Sequence, residues 1–167
     1  AWSIKTPAVS VKKTKLDFSR TERVGRLASA FMIIGFLLLL VAVVLRGISA
    51  NRVPWGNMYE FSITGALAFS AAYLFGLKKY KIRYLGLPVA FTVLLTLGTA
   101  ITLLYRPSAP LVPALKSPWL VIHVSTAIIS GGVFLLANCI AATYLILDRY
   151  EQKGARPSWA LKLPTLE

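Results

Sequence analysis

Acidic residues are scarce in this sequence: six Asp and Glu stand against 19 Lys and Arg in 167 residues. There is one cysteine, Cys139, and one histidine, His123. A single cysteine excludes an internal disulfide and a multi-cysteine metal site. No His/Cys/Asp/Glu grouping has the spacing of a zinc or iron site, no catalytic triad is visible, and no glycine-rich loop offers a phosphate cradle. Internal repeats and low-complexity tracts are also missing. The first apolar run is too long for a secretory signal, and no small-residue cleavage site follows it. General acid–base catalysis needs two tunable groups. Glu60 and His123 are the one such pair expected on the same side of the molecule.

What the sequence has in abundance is apolar length. It is 56% hydrophobic with a mean hydropathy of +0.66, and its apolar runs reach the ~20 residues that a membrane-spanning helix requires. The expected fold is all-α, a polytopic transmembrane helical bundle with four spans at about 24–45, 58–77, 84–104 and 118–147. The net charge of +13 would suit nucleic acid. The charges cluster at the ends of the apolar runs instead, as membrane topology predicts. The partner that this pattern implies is membrane lipid, and no nucleic acid.

Residues 1–23 form a basic tail, expected to be extended to about Lys15. The following LDFSRTERVGR reads as a solvated topogenic segment, with an amphipathic surface lead-in as the alternative. The first span is apolar on all sides and should be peripheral. The second carries Glu60 one turn in, where a carboxylate must be hydrated, paired or protonated. Arg52, Arg106 and Asn57 are its candidate partners. Asn57 stands at capping-box spacing before it. The Gly, Ala and Ser content of this span favours close packing. In the third span Pro88 falls in the first turn, and Thr92, Thr96 and Thr99 share one face, a spacing that predicts bonds back to their own helix. Residues 105–118 hold four prolines and predict a surface loop. The last segment, 148–167, reads as a linker, with Trp159 and Leu161 as an interfacial patch.

The fourth span opens with Ser117-Pro118, a helix start, and carries His123 near its beginning. At 100° per residue, His123 shares a face with Thr126, Ala127, Ser130, Phe134, Ala137, Asn138 and Ala141. Those small or weakly polar residues predict the bundle-facing side, since small residues let helices approach in lipid. Ile128, Ile129, Val133, Leu135, Leu136 and Ile140 predict the lipid side, with Cys139 among them as inert packing. His123 is either an axial ligand or proton carrier, or an interfacial histidine bonded to a neighbour.

Lys and Arg number fifteen in the tail, the second loop and the C-terminal segment, against four in the other two loops. The positive-inside rule therefore places both termini in the cytoplasm, and Glu60 and His123 near the outer side. Trp55, Trp119 and Tyr59 gather there too. They form an ordinary aromatic belt or a platform for a flat apolar ligand such as a porphyrin.

RVPWGNMYEFSITGALAF and LVPALKSPWLVIHVSTAIISGGVF resemble the CcsA/CcsB/ResC family of System II cytochrome c biogenesis membrane proteins. The resemblance covers about 52–147, and PWGNMYEF and LKSPWLVIHVS are its most specific parts. It implies a haem-handling component of the bacterial cytoplasmic membrane, multi-pass, that helps present haem at the outer face for thioether attachment to apocytochrome c. It implies haem b as the cofactor of the full-length protein, His123 as an axial ligand of the haem iron, and Trp119, Trp55 and Glu60 as residues lining or supporting the site. A ResB-type partner membrane protein and apocytochrome c are the implied partners. The family's tryptophan-rich WGxxWxWD segment and second external histidine do not occur here, so the chain resembles the N-terminal half of such a protein. It belongs to a haem-attachment system without being expected to be catalytic, or to bind haem stably, on its own. The competing reading is a proton-coupled membrane transporter subunit that uses Glu60 and His123.

Overall fold

The computed structural model describes residues 9–80, 82–110 and 116–154. Within them the chain is all-helical: α1 spans Val9–Ala50, α2 Met58–Lys79, α3 Gly86–Thr102 and α4 Pro118–Gln152, with a 3₁₀ turn at Arg83–Leu85 leading into α3. Each of the four helices contains a stretch long and apolar enough to cross a membrane. The molecule is a multi-pass membrane protein built as a helical bundle. Trp159, Leu161 and the tail before Val9 lie outside the described residues.

Three element boundaries differ from expectation, one being the end of the first span, which continues past Leu45 to Ala50. Residues 9–15, expected to be extended, belong to α1, which continues without a break through the span. The run from Val9 to Val24 has neither proline nor glycine, and extending an existing helix is far easier than nucleating one. The surface lead-in is thus no separate element. At the other end α4 continues past Asp148 to Gln152, into the region expected to be linker.

The second helix is the centre of the bundle. It packs against α1, α3 and α4, and it buries Glu60, Ile63, Thr64, Ala66, Phe69, Ser70, Tyr73 and Gly76. Its small residues permit this contact on several sides, because association in lipid depends on backbone proximity rather than on hydrophobic exclusion. Two clusters hold the layers together. Phe69 and Tyr73 meet Leu85 and Val89 at one end, and Val43, Ile63 and Ala100 meet toward the other. On α1, Val43 is the one buried hydrophobic residue described. Partly buried positions recur at Gly25, Ser29, Met32, Phe36, Leu39, Arg46 and Ala50, the alternating three-and-four spacing of a seam between two helices. Apart from Gly47, the other α1 positions whose exposure is described are exposed, as a peripheral span should be. On α3 the threonines bond back to their own helix: Thr92 to the Pro88 carbonyl, Thr96 to that of Thr92 and Thr99 to that of Leu95, each at 2.9 Å.

The small-residue face of α4 points away from the bundle rather than into it, although Ile129, Val133, Leu135 and Ile140 are exposed as expected. Its buried positions are Ile128, Gly132 and Leu147, with Leu136 and Cys139 half-buried, and Gly132 is where it meets α2. His123, Thr126, Ala127, Phe134, Ala137, Asn138 and Ala141 are exposed. The reason is Gly132. A Cβ there would lie 2.8 Å from the Ala68 carbonyl carbon and 2.9 Å from the Phe69 nitrogen, so the two backbones touch at this glycine. One intimate contact point sets the rotation of the helix, and the flanking large aliphatics fill the remaining space. The Cys139 thiol packs beside the Phe69 cluster rather than facing lipid.

Gly132→Ala must therefore push α4 from α2, whereas a Cβ at Gly131 meets nothing within 4 Å. Thermal unfolding in detergent should show Gly132→Ala destabilised by about 1–3 kcal/mol, in the range of overpacked cores. Gly131→Ala should be unchanged or slightly more stable.

Candidate functional site

The site is built from the end of α1 upward. Asn51 follows Ala50 with φ at 50°, the left-handed conformation that asparagine tolerates better than most residues. The Asn51 N–H donates to the Ile48 carbonyl and the Arg52 N–H to the Gly47 carbonyl. Those paired bonds are a Schellman closure, which ends the helix and reverses the chain. The reversal aims Arg52 back toward the beginning of α2. There Asn57 caps the helix, its side-chain oxygen accepting from the Glu60 N–H at 2.9 Å.

Glu60 is completely buried and completely bonded. Oε1 accepts from Arg46 Nε at 3.0 Å and from Arg52 Nη2 at 3.2 Å. Oε2 accepts from Arg52 Nη1 at 2.7 Å and from the Gly56 N–H at 2.8 Å. Four donors fill the acceptor sites of a carboxylate. The reciprocal half of a capping box would return to the Asn57 N–H; here the carboxylate takes the amide one residue earlier. Gly56 is essential to the fit, since a Cβ there would lie 2.6 Å from the Arg52 guanidinium carbon.

The same arginines hold the proline-rich loop. Arg46 Nη2 donates to the Arg106 carbonyl at 2.7 Å, and Arg52 donates to the Ala109 carbonyl through Nε at 3.2 Å and Nη2 at 3.1 Å. Tyr59 stands edge-on to Tyr105 with centroids 5.3 Å apart, and the Arg46 guanidinium lies over the Tyr59 ring. Of the expected partners of Glu60, Arg52 and Asn57 are present. Arg106 contributes its backbone to Arg46 rather than its side chain to Glu60. Arg46 is the partner that the sequence reading missed, because it looked like a residue that merely ends a span. The available signal was its spacing, one turn beyond Val43 on the seam of α1.

Beside this clamp lies an apolar groove of about 720 Å³ between the 52–56 loop and the first turns of α4. Val53 and Trp55 form one wall, and Pro118, Leu120, Val121 and Val124 the other. Trp119 is 78% exposed and is not part of the lining. His123 is exposed on the far side of α4 from the α2 contact, and no described group bonds to it. Counted from the Gly132–Ala68 contact at 1.5 Å per residue, His123 and Glu60 stand at nearly the same depth, about 13 and 12 Å above it. The structure thus gathers Trp55 and the Glu60 clamp around the groove, and sets His123 and Trp119 on the outer surface of the same helix end.

The family model for the Cytochrome C assembly protein matches residues 55–167. The chain belongs to that family. Similar sequences include proteins named cytochrome c biogenesis protein CcsA from Porphyra purpurea, 30% identical over 145 residues, and from Marchantia polymorpha, 33% identical over 129. The CcsA of a Synechocystis strain is 29% identical over 134 residues. The matches cover 85%, 75% and 78% of this chain but only 46%, 38% and 40% of the relatives, so the chain spans less than half their length. No solved structure matches significantly. Within the cytochrome c assembly family match lie Glu60, Gly56, Trp119 and His123, whereas Arg46 and Arg52 precede it. The clamp is therefore the join between α1 and the family segment.

Removing one partner of a buried charge cluster leaves the others uncompensated. Glu60→Ala should lower stability by about 3–5 kcal/mol in detergent unfolding. Replacing all three charged groups at once, Arg46→Met with Arg52→Met and Glu60→Leu, should recover a large part of that loss. Failure of the triple variant to improve on Glu60→Ala would show that the carboxylate is needed for more than packing.

Proposed function

We propose that the chain is the haem-handling part of a cytochrome c maturation protein, and that His123 offers one imidazole nitrogen to the iron of haem b at the outer membrane face. The observation that carries this reading is the state of His123. It is the sole histidine of the chain, it lies in the family segment, it is exposed near the end of a span, and no described residue occupies its nitrogens. Ionisable residues at such positions are costly and usually functional. Haem is the cargo here, and its iron takes an axial nitrogen readily. This chain supplies one such ligand, so a haem held on both axial sides needs a second ligand from elsewhere in the complete protein.

The other site residues take supporting parts. Trp119 and Trp55 offer aromatic surface at the same rim. Glu60 supports from beneath, by fixing the 52–56 and 105–110 loops through its arginines. The proton-coupled transporter reading needs Glu60 as a group that exchanges protons with its surroundings. A carboxylate with no exposure and four bonds favours the structural role instead. The charge distribution supports both termini in the cytoplasm of a bacterium and the groove outside. Haem presented there would meet apocytochrome c, with a ResB-type membrane protein as the partner. Thioether attachment belongs to the assembled system rather than to this chain alone.

In the complete protein, His123→Ala should reduce co-purified haem and stop cytochrome c maturation. Added imidazole should restore part of both, because a ligand nitrogen rather than a tethered proton carrier is needed. Normal haem content and maturation in correctly inserted His123→Ala would remove the ligand assignment. Orientation is tested in a Cys139→Ser background with single cysteines at Tyr80 and Ala109. An impermeant thiol reagent applied to intact cells should label position 109 and leave position 80 unlabelled; the opposite pattern overturns the topology.

A further inference from the structure

The groove beside the clamp is independent of His123. Its walls are apolar, and none of its lining residues is a histidine, cysteine or methionine. It therefore offers none of the imidazole, thiolate or thioether ligands that haem iron usually takes. It lies where α2 and α4 begin, at the rim of the bundle. Its volume of about 720 Å³ is within the range of sites that enclose most of a small ligand.

The charges at its mouth decide what suits it. Arg52 and Lys116 are the two cationic residues in the lining. Arg52 shares Glu60 with Arg46, so two guanidiniums are balanced by one carboxylate and a net positive charge remains. Lys116 adds a second, and its side chain is exposed. An apolar cleft at a membrane rim with an uncompensated positive mouth matches an amphiphile with an anionic head.

We infer that the groove holds an acyl chain of an anionic bilayer phospholipid, with the headgroup phosphate against Lys116 and the net positive charge of the clamp behind it, the five Arg52 N–H donors being already engaged by Glu60, Val53 and Ala109. The chain lies along Val53, Leu120, Val121 and Val124, while Trp55 sits at the level of the glycerol, the usual depth of interfacial tryptophan. A bound lipid of this kind fills the space between the 52–56 loop and α4. It keeps that face of the groove dry without drawing on His123.

The test is native mass spectrometry of the full chain, delipidated in detergent and titrated separately with palmitoyl-oleoyl phosphatidylglycerol and phosphatidylcholine. One phosphatidylglycerol should be retained in preference to phosphatidylcholine, by about fivefold for the single lysine engaged. Lys116→Glu, at an exposed position that does not endanger folding, should abolish the preference. Val121→Trp, which fills the cleft, should lower retention of both lipids, and Lys78→Glu at the opposite end should change neither. Equal retention of the two lipids by the unmodified chain would overturn the proposal. So would a phosphatidylglycerol preference that survives Lys116→Glu, which would indicate a general annulus. Stoichiometric displacement of the lipid by haem would also overturn it, and would assign the groove to the cargo.

Discussion

A fully buried carboxylate bonded to two guanidiniums is the constraint on which the half of this molecule where α2 and α4 begin depends. Glu60 cannot be accommodated in the bundle alone. Arg46 and Arg52 compensate it, and their remaining donors reach the carbonyls of Arg106 and Ala109. Satisfying one charge thereby fixes three backbone segments: the end of α1, the beginning of α2 and the proline-rich loop. That loop is poor in N–H groups and cannot be held by a ladder of its own. It is held through its acceptors, by charged donors, which form the stronger class of hydrogen bond.

The lower half obeys a different rule. At Gly132 the backbones of α2 and α4 touch, and the Phe69–Tyr73–Leu85–Val89 cluster fills the space beside them. Electrostatic closure at one end and backbone proximity at the other divide the bundle into a polar, bonded cap and a tightly packed stem. The groove lies in the cap, where helices begin to diverge. The exposed side of α4, with His123 and Asn138, belongs to neither device.

Helix number and class could be read from the sequence because they follow from length and apolar content, which are local. The back-bonded threonines and the Asn57 cap are equally local and were also legible. The rotation of α4 was not. In lipid both small and large apolar residues can face either protein or acyl chains, so periodicity alone leaves the sign open; the backbone contact at Gly132 settles it. The α1 seam was hidden for a similar reason, since a helix apolar on every side shows no stripe. Arg46 escaped notice because its partner lies across a reversal made by Asn51 in the left-handed conformation, which composition does not reveal. At the site, Trp55 lines the groove and Glu60 is buried behind it, while Trp119 and His123 stand apart on the exposed surface of α4.

The three charged members of the clamp all fall within α1, the loop after it and the first turn of α2. Nothing from α3 or α4 is required to compensate Glu60. During synthesis the first two helices can therefore enter the bilayer as a hairpin in which the buried Glu60 is already masked. The later helices then meet a finished surface, and the free carbonyls of the proline-rich loop find their guanidinium donors waiting in place. The order of the chain thus matches the order in which its most expensive group is made safe.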